Sequence, residues 1–314
     1  MSFVEVSNLC IVYDGMTAVN DLSFQLERGK IYGFIGPNGA GKTSTIKALA
    51  GVLEPAQGKI SLNGFNLETA REKALACVGY MPDFSPVYEN LKVWEYLDIF
   101  AAAYGIKAED RPSCVEKWLI KSDLGTKRDA LIKGLSRGMQ QRLVLAKTLE
   151  VYPLILLLDE PASGLDPLAR KQMRDLLKEA RANGATILIS SHILSELSEF
   201  VDSIIILEKG RLVMAGTMDE LRRQTGGTQK LIIRFAKEAE GLAALEGLLL
   251  EEGLGKDRVR QEGTRYVIYF QNAEEAASQF LKKILAANVG LLECSLASDD
   301  IEDIFLKVGA KEVA

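Results

Sequence analysis

The sequence predicts two domains in series, an α/β domain with a parallel sheet and a small α+β domain of ferredoxin-like order. Three observations carry that prediction. Residues 154–158 (LILLL) and 186–190 (TILIS) are continuous apolar runs, as in strands covered on both faces. Between them, Asp166, Pro167 and Gly184 stand where a helix wants its N-cap, its first residue and its exit. After a polar, glycine-bearing segment at 222–229, the elements read strand, helix, strand, strand, helix, strand. The expected division is therefore 1–221, a linker at 222–229, and 230–314.

The elements follow in order. Residues 22–27 (LSFQLE) alternate apolar and polar, as a half-buried strand does. Residues 30–36 form an apolar strand that runs into glycines, and 42–51 continue as a helix closed by Gly51. Residues 79–86 (GYMPDFSP) read as a loop with two prolines. Residues 203–216 read as a hairpin turning at Lys209 and Gly210. In the second domain, strands are expected at 230–236, near 257–261, at 265–270 and at 291–297, with helices over 238–253 and 273–288. A short tail helix (DDIEDIFLKVG) follows.

Composition narrows the function. The 314 residues are 47% apolar and 26% charged, enough to build two cores. The net charge of −5 argues against a nucleic-acid partner. Cys10, Cys77, Cys114 and Cys294 lack metal-ligand spacing and read as buried or inert thiols in a reducing compartment. The first residues do not read as a signal peptide, and no run reaches the ~18–20 apolar residues that span a bilayer. Any membrane role is expected to come through a partner.

The chemistry begins at 36–43, GPNGAGKT, which matches the phosphate-loop pattern between a strand and a helix. Gly36, Gly39 and Gly41 let backbone N–H groups curl around phosphate oxygens. Lys42 reaches toward the outer phosphates and Thr43 offers a hydroxyl to Mg²⁺. The stretch Gly36, Pro37, Asn38, Gly39, Ala40, Gly41, Lys42, Thr43 and Ser44 is thus expected to hold the nucleotide. The strand at 154–158 ends in Asp159, placed to hold Mg²⁺ through water, and Glu160, placed to polarise an attacking water. His192, the single histidine, follows the other apolar strand at the same sheet edge and is expected to contact the γ-phosphate. Ser136 and Gly138, in LSRGMQQR, open a helix with a hydroxyl and a glycine N–H, the makings of an anion site.

The order of these pieces resembles the ATP-binding cassette (ABC) ATPase family over roughly residues 3–220. The resemblance implies a parallel core flanked by an antiparallel β subdomain and a helical subdomain. It implies that Tyr13 stacks on adenine, and that 163–166 joins the halves of a homodimer. LSRGMQQR would bind ATP held by the opposite subunit; it departs from the family's LSGGQ at Arg137 and Met139 but keeps Ser136 and Gly138. The chain as a whole is similar to ATP-binding subunits of type-2 ABC exporters, which implies ATP and Mg²⁺, a separate integral membrane permease, and a place on the cytoplasmic face of the membrane. Where relatives put a glutamine, this chain has Asp83, expected to reach the metal through water. The aromatic-rich stretch at 83–105 is expected to be half core and half docking groove for the permease. A soluble ABC ATPase with a non-transport role is the alternative.

Overall fold

The computed structural model describes residues 2–84, 86–191, 197, 200–226, 228–255, 258–271, 274–287, 289–299 and 303–305. The chain divides into two compact units, Met1–Thr217 and Met218–Ala314.

In the first unit, β1 (Val4–Tyr13) and β2 (Met16–Leu26) form an antiparallel pair, and β3 (Ile31–Ile35) runs into α1 (Lys42–Leu49). The strands β4 (Gln57–Leu62) and β5 (Phe65–Asn66) complete an antiparallel sheet of order β2-β1-β4-β5. Next come α2 (Arg71–Leu75), β6 (Val78–Met81), and a helical part made of α3 (Val93–Ala103), α4 (Arg111–Lys121) and α5 (Arg137–Leu149). The chain returns through β7 (Ile155–Leu158), α6 (Pro167–Ala182), β8 (Thr186–Ser191), β9 (Ser203–Glu208) and β10 (Arg211–Gly216). The second sheet has the order β10-β9-β3-β8-β7-β6, parallel throughout except at β10.

The apolar runs explain that sheet. Every residue of β3, β7 and β8 is buried, and each aliphatic side chain removed from water stabilises by about 1.5–3 kcal/mol. The α6 cap is as the sequence predicts, with Asp166 accepting from the Ala169 N–H at 2.9 Å and Pro167 opening the helix. The hairpin turns through Lys209 (φ 47°) and Gly210 (φ 77°), the two left-handed residues that a tight two-residue turn requires.

Two expectations change. Residues 79–81 are strand, not loop: Gly79, Tyr80 and Met81 pair in parallel with Leu156, Leu157 and Leu158. The loop starts at Pro82, where the ladder loses its donor. The expected linker at 222–229 is largely structured, because α7 (Met218–Gln224) runs through its first residues and β11 (Thr228–Phe235) begins within it.

The helical part holds an unusual buried carboxylate. Glu150, beyond the end of α5, is 1% exposed. The Cys114 thiol donates to its Oε1 at 3.8 Å, and its Oε2 has no hydrogen-bond partner among the described residues. Burial raises the Glu150 pKa to about 7; Asp98 adds to the rise, while Cys114 and Lys147 oppose it.

In the second unit, β11 is followed by α8 (Glu238–Glu251), β12 (Val259–Glu262), β13 (Arg265–Gln271), α9 (Glu274–Ala286) and β14 (Leu291–Ser298). The antiparallel sheet has the order β12-β13-β11-β14. Leu231, Ile233 and Phe235 of β11 join Tyr266, Ile268 and Phe270 of β13 in a core with Leu245 and Leu249 of α8 and Phe280 and Ile284 of α9. Residue 303 follows the last strand and pairs with the sheet as Asp303–Lys230. The rest of the expected tail helix lies mostly outside the described residues. All four cysteines are free: Cys77 is buried, Cys10 and Cys114 are half-buried, and Cys294 on β14 is exposed.

Candidate nucleotide site

The strand β3 ends at Ile35, and the backbone turns through Gly36–Gly41 into α1. Two glycines are fixed there by space. A Cβ on Gly36 would lie 2.4 Å from the Leu207 carbonyl oxygen, so this glycine lets the loop pass β9. Gly41 has φ 96°, and its Cβ would meet the Ala18 carbonyl oxygen at 2.7 Å. The loop is further tied down by Gly210 N–H donating to Ala40 O at 3.2 Å and Asn20 N–H to Gly210 O at 2.8 Å. It is thus held between β2 and the β9–β10 hairpin by contacts of the chain itself.

Lys42 is 6% exposed. Its ammonium donates to Gly36 O at 2.6 Å and Pro37 O at 3.3 Å, and stands 3.9 Å from Glu160 Oε1. Burial lowers its pKa, against the opposing pull of Glu160 and Asp159. Gly36 and Pro37 therefore serve this structure chiefly as acceptors for Lys42.

Asp159, at the tip of β7, is 1% exposed. Its Oδ1 accepts from Thr43 Oγ1 at 3.1 Å and from Ser190 Oγ at 2.7 Å, and its N–H donates to Met81 O at 2.9 Å. The same Ser190 hydroxyl oxygen accepts from Glu160 N–H at 2.9 Å. Glu160 itself is left-handed, with φ 48°, a conformation that costs a non-glycine residue about 1–2 kcal/mol. No motif in the sequence singles out Ser190. Its signal in the sequence is a hydroxyl closing an otherwise apolar strand, which has no packing reason to be polar. Tyr80, on the neighbouring β6, has no hydrogen-bond partner for its hydroxyl among the described residues, and burial together with Asp159 raises its pKa to about 12.

These groups meet at a cavity of about 320 Å³ lined by Asn38, Gly39, Ala40, Gly41, Lys42, Thr43, Ser44, Asp83 and Glu160, together with Ala18 and Ser163. The loop that carries Asp83 is brought here by β6, whose last residue bonds to Asp159. Thr43 and Asp159, with Asp83 in the wall, supply oxygen donors only, the set that suits a hard cation such as Mg²⁺. No group of three or more His, Cys, Asp or Glu among the described residues is placed to hold a metal by itself. Such a cation would need phosphate oxygens to complete its shell.

The other expected residues lie apart. Tyr13, 40% exposed at the end of β1, is not in the cavity wall, nor are Ser136 and Gly138. His192 falls outside the described residues. Ser136 caps α5, its Oγ accepting from Met139 N–H at 3.3 Å. A Cβ on Gly138 would meet, among the described residues, only Leu165 Cδ2, at an ordinary 3.4 Å, so none of them requires glycine there. Arg137 lies along the loop after Glu160: a Cβ on Gly164 would be 3.3 Å from its guanidinium carbon.

Of the aromatic stretch, Tyr96 is buried and Trp94 is half-buried, whereas Phe84 is 83% and Tyr88 60% exposed. Tyr88 leads a ladder of rings, Tyr96, Phe100 and Tyr104, and the Lys147 ammonium sits 4.8 Å from the Phe100 ring centre. No helix among the described residues is long and apolar enough to cross a membrane.

The chain has relatives among known proteins. Residues 19–163 match the family model described as ABC transporter. The chain is 32% identical over 311 residues to the bacitracin transport ATP-binding protein BcrA of Bacillus licheniformis, covering 98% of this chain and 97% of that protein. It is 37% identical over 303 residues to the Nod factor export ATP-binding protein I of Burkholderia thailandensis, covering 96% and 95%. Among solved structures, an ATP-binding subunit of an ABC transporter superposes with a TM-score of 0.67 at 34% identity, over 72% of this chain and 94% of that one.

Proposed function

The chain belongs to the ABC transporter family, and on that premise we propose how its residues divide the work. The protein is an ATP-binding, ATP-hydrolysing subunit of a transporter of the exporter type. Subunits of this kind act as dimers and with membrane components. The N–H groups of the loop from Gly39 to Thr43, at the positive end of α1, take the phosphates. Lys42 exchanges its backbone acceptors for phosphate oxygens. Thr43 and, through water, Asp159 and Asp83 would hold Mg²⁺, whose charge would offset that of the phosphates. Glu160 polarises the attacking water as general base, and Ser190 fixes both Asp159 and the Glu160 backbone. His192 completes the γ-phosphate contacts and Tyr13 stacks on adenine.

Ser136 and Gly138 close over ATP bound to a second copy, giving a homodimer with two sites. A capped helix start whose glycine answers to no contact among the described residues supports this. The exposed Phe84 and Tyr88 receive a cytoplasmic helix of a separate integral permease, which places the protein on the cytoplasmic face of the membrane. Residues 1–221 act as the nucleotide domain and 230–314 as an accessory domain; with a net charge of −5, no nucleic acid is a partner.

The observation that carries this reading is the meeting of Lys42, Thr43, Asp83 and Glu160 in one cavity, with Asp159 bonded to Thr43 beneath it. Glu160→Gln is expected to lower ATP turnover by about 10²–10⁴-fold while doubling the native mass in MgATP. Unchanged turnover with no dimer would sink the reading. Purification without any membrane protein would favour the non-transport alternative.

A further inference from the structure

The nucleotide chemistry leaves one feature of the second unit unused, the outer edge of β14. The two edges of this sheet differ. The β12 edge has four residues, Val259–Glu262, three of them exposed and two of them joined as Arg260–Glu262. Short length and charge are how sheet edges are ordinarily kept from pairing. The β14 edge, Leu291–Ser298, is twice as long. Its one charge, Glu293, is held by Arg234 at 3.5 Å and Arg265 at 2.9 Å. Leu292 is 57% and Leu296 42% exposed, and Cys294 between them is exposed. Cys294 and Leu296 lie opposite the core residues Ile233 and Leu231, so they continue the apolar face of the sheet past its margin. Among the described residues, β14 pairs only with β11.

We propose that β14 pairs antiparallel with β14 of a second copy of this chain, about a two-fold axis at Cys294, joining two four-stranded sheets into one. The sequence reads Leu-x-Cys-x-Leu in both directions. Centred on Cys294, each Leu292 meets Leu296 of the partner subunit, and each Glu293 falls opposite Ser295 of the partner subunit, so no like charges face each other. An edge contact of this size is weak alone. It rests for its strength on the nucleotide-site dimer proposed above, which supplies the second copy at high effective concentration.

Directly opposed residues in an antiparallel pair have Cα atoms ~4.5–5.5 Å apart, inside the ~4.4–6.8 Å that a disulfide bridges. The test uses the full chain with Cys10→Ser, Cys77→Ala, Cys114→Ser and Glu160→Gln, oxidised with copper phenanthroline in MgATP. The native mass is read in parallel. Cys294 is expected to form a reducible dimer in a yield at least about tenfold above that with Leu296→Lys added, and above that with the thiol moved by one residue (Cys294→Ser with Ser295→Cys). Turnover of Leu296→Lys in the chain with Glu160 intact verifies its fold. A nucleotide dimer by mass without the Cys294 link, or with a link indifferent to either change, overturns the proposal and leaves the nucleotide reading standing. If mass shows no nucleotide dimer, that reading fails, and the same oxidation at millimolar protein decides the edge contact by the same criteria.

Discussion

The two units treat polar groups in opposite ways. The first buries them: Lys42, Asp159, Glu150, Gln141 and Ser190 are all at most 8% exposed. Among the described residues, the second keeps many of its charges in ion pairs near the surface, such as Arg265–Glu293, Lys283–Glu252 and Lys237–Glu240, and Asp299 is its one buried polar residue. Burial strengthens electrostatics and shifts protonation, but it costs stability wherever partners are missing. The first unit is therefore arranged for chemistry at some expense to its own stability, and the second for packing and contact.

Substitutions sharpen this contrast. After Glu160→Gln, the largest effect belongs to Lys42→Ala, expected to cut ATP turnover on the order of 100- to 1,000-fold while the second unit keeps its circular-dichroism melting profile. Glu150 comes next. Its folded pKa of about 7 lies above the ordinary 4.5, so folding favours the protonated acid. The associated stability is present below pH 4.5, declines as pH rises, and is gone above about pH 7. Glu150→Gln should remove this slope and be more stable at pH 8 by on the order of 2–3 kcal/mol; parallel denaturation curves for the two proteins from pH 5 to 8 would break the contrast. Ser190→Ala removes the hydrogen bonds to Asp159 Oδ1 and from the Glu160 N–H and is expected to cost about 1–3 kcal/mol by urea titration, together with a fall in kcat. Asp83→Ala should raise the Mg²⁺ needed for half-maximal turnover roughly 10-fold; an unchanged Mg²⁺ titration would reduce Asp83 to a turn residue. At the small end, Arg265→Ala breaks an exposed pair and should cost under about 1 kcal/mol. A larger loss there would mean that the second unit also depends on its charges.

Sequence legibility follows the same division. The strands β7 and β8 are readable because burial on both faces leaves an unbroken apolar run. The phosphate loop is readable because its glycines and Lys-Thr have no packing explanation. The strand β6 is hidden in the sequence: four residues with a glycine and a tyrosine carry too little period, and its strand character comes from pairing with β7. The strand β1 is similarly obscured, since register shifts near Leu9 and Ile11 break its alternation. The helix α7 reads as linker because, of its residues, only Leu221 is buried. In the site, Lys42, Thr43, Asp159 and Glu160 were identifiable by type. Ser190 and Ala18 were not, because their roles arise from where the sheet delivers them.

The left-handed backbone at Glu160 sets two kinds of selection against each other. Glycine adopts that conformation without strain, so Glu160→Gly should make the fold firmer as it abolishes the general base. A library screened for heat resistance alone would drift toward glycine and away from hydrolysis at this position. A population held at glutamate there would then be a record that turnover, rather than folding, was what its history rewarded.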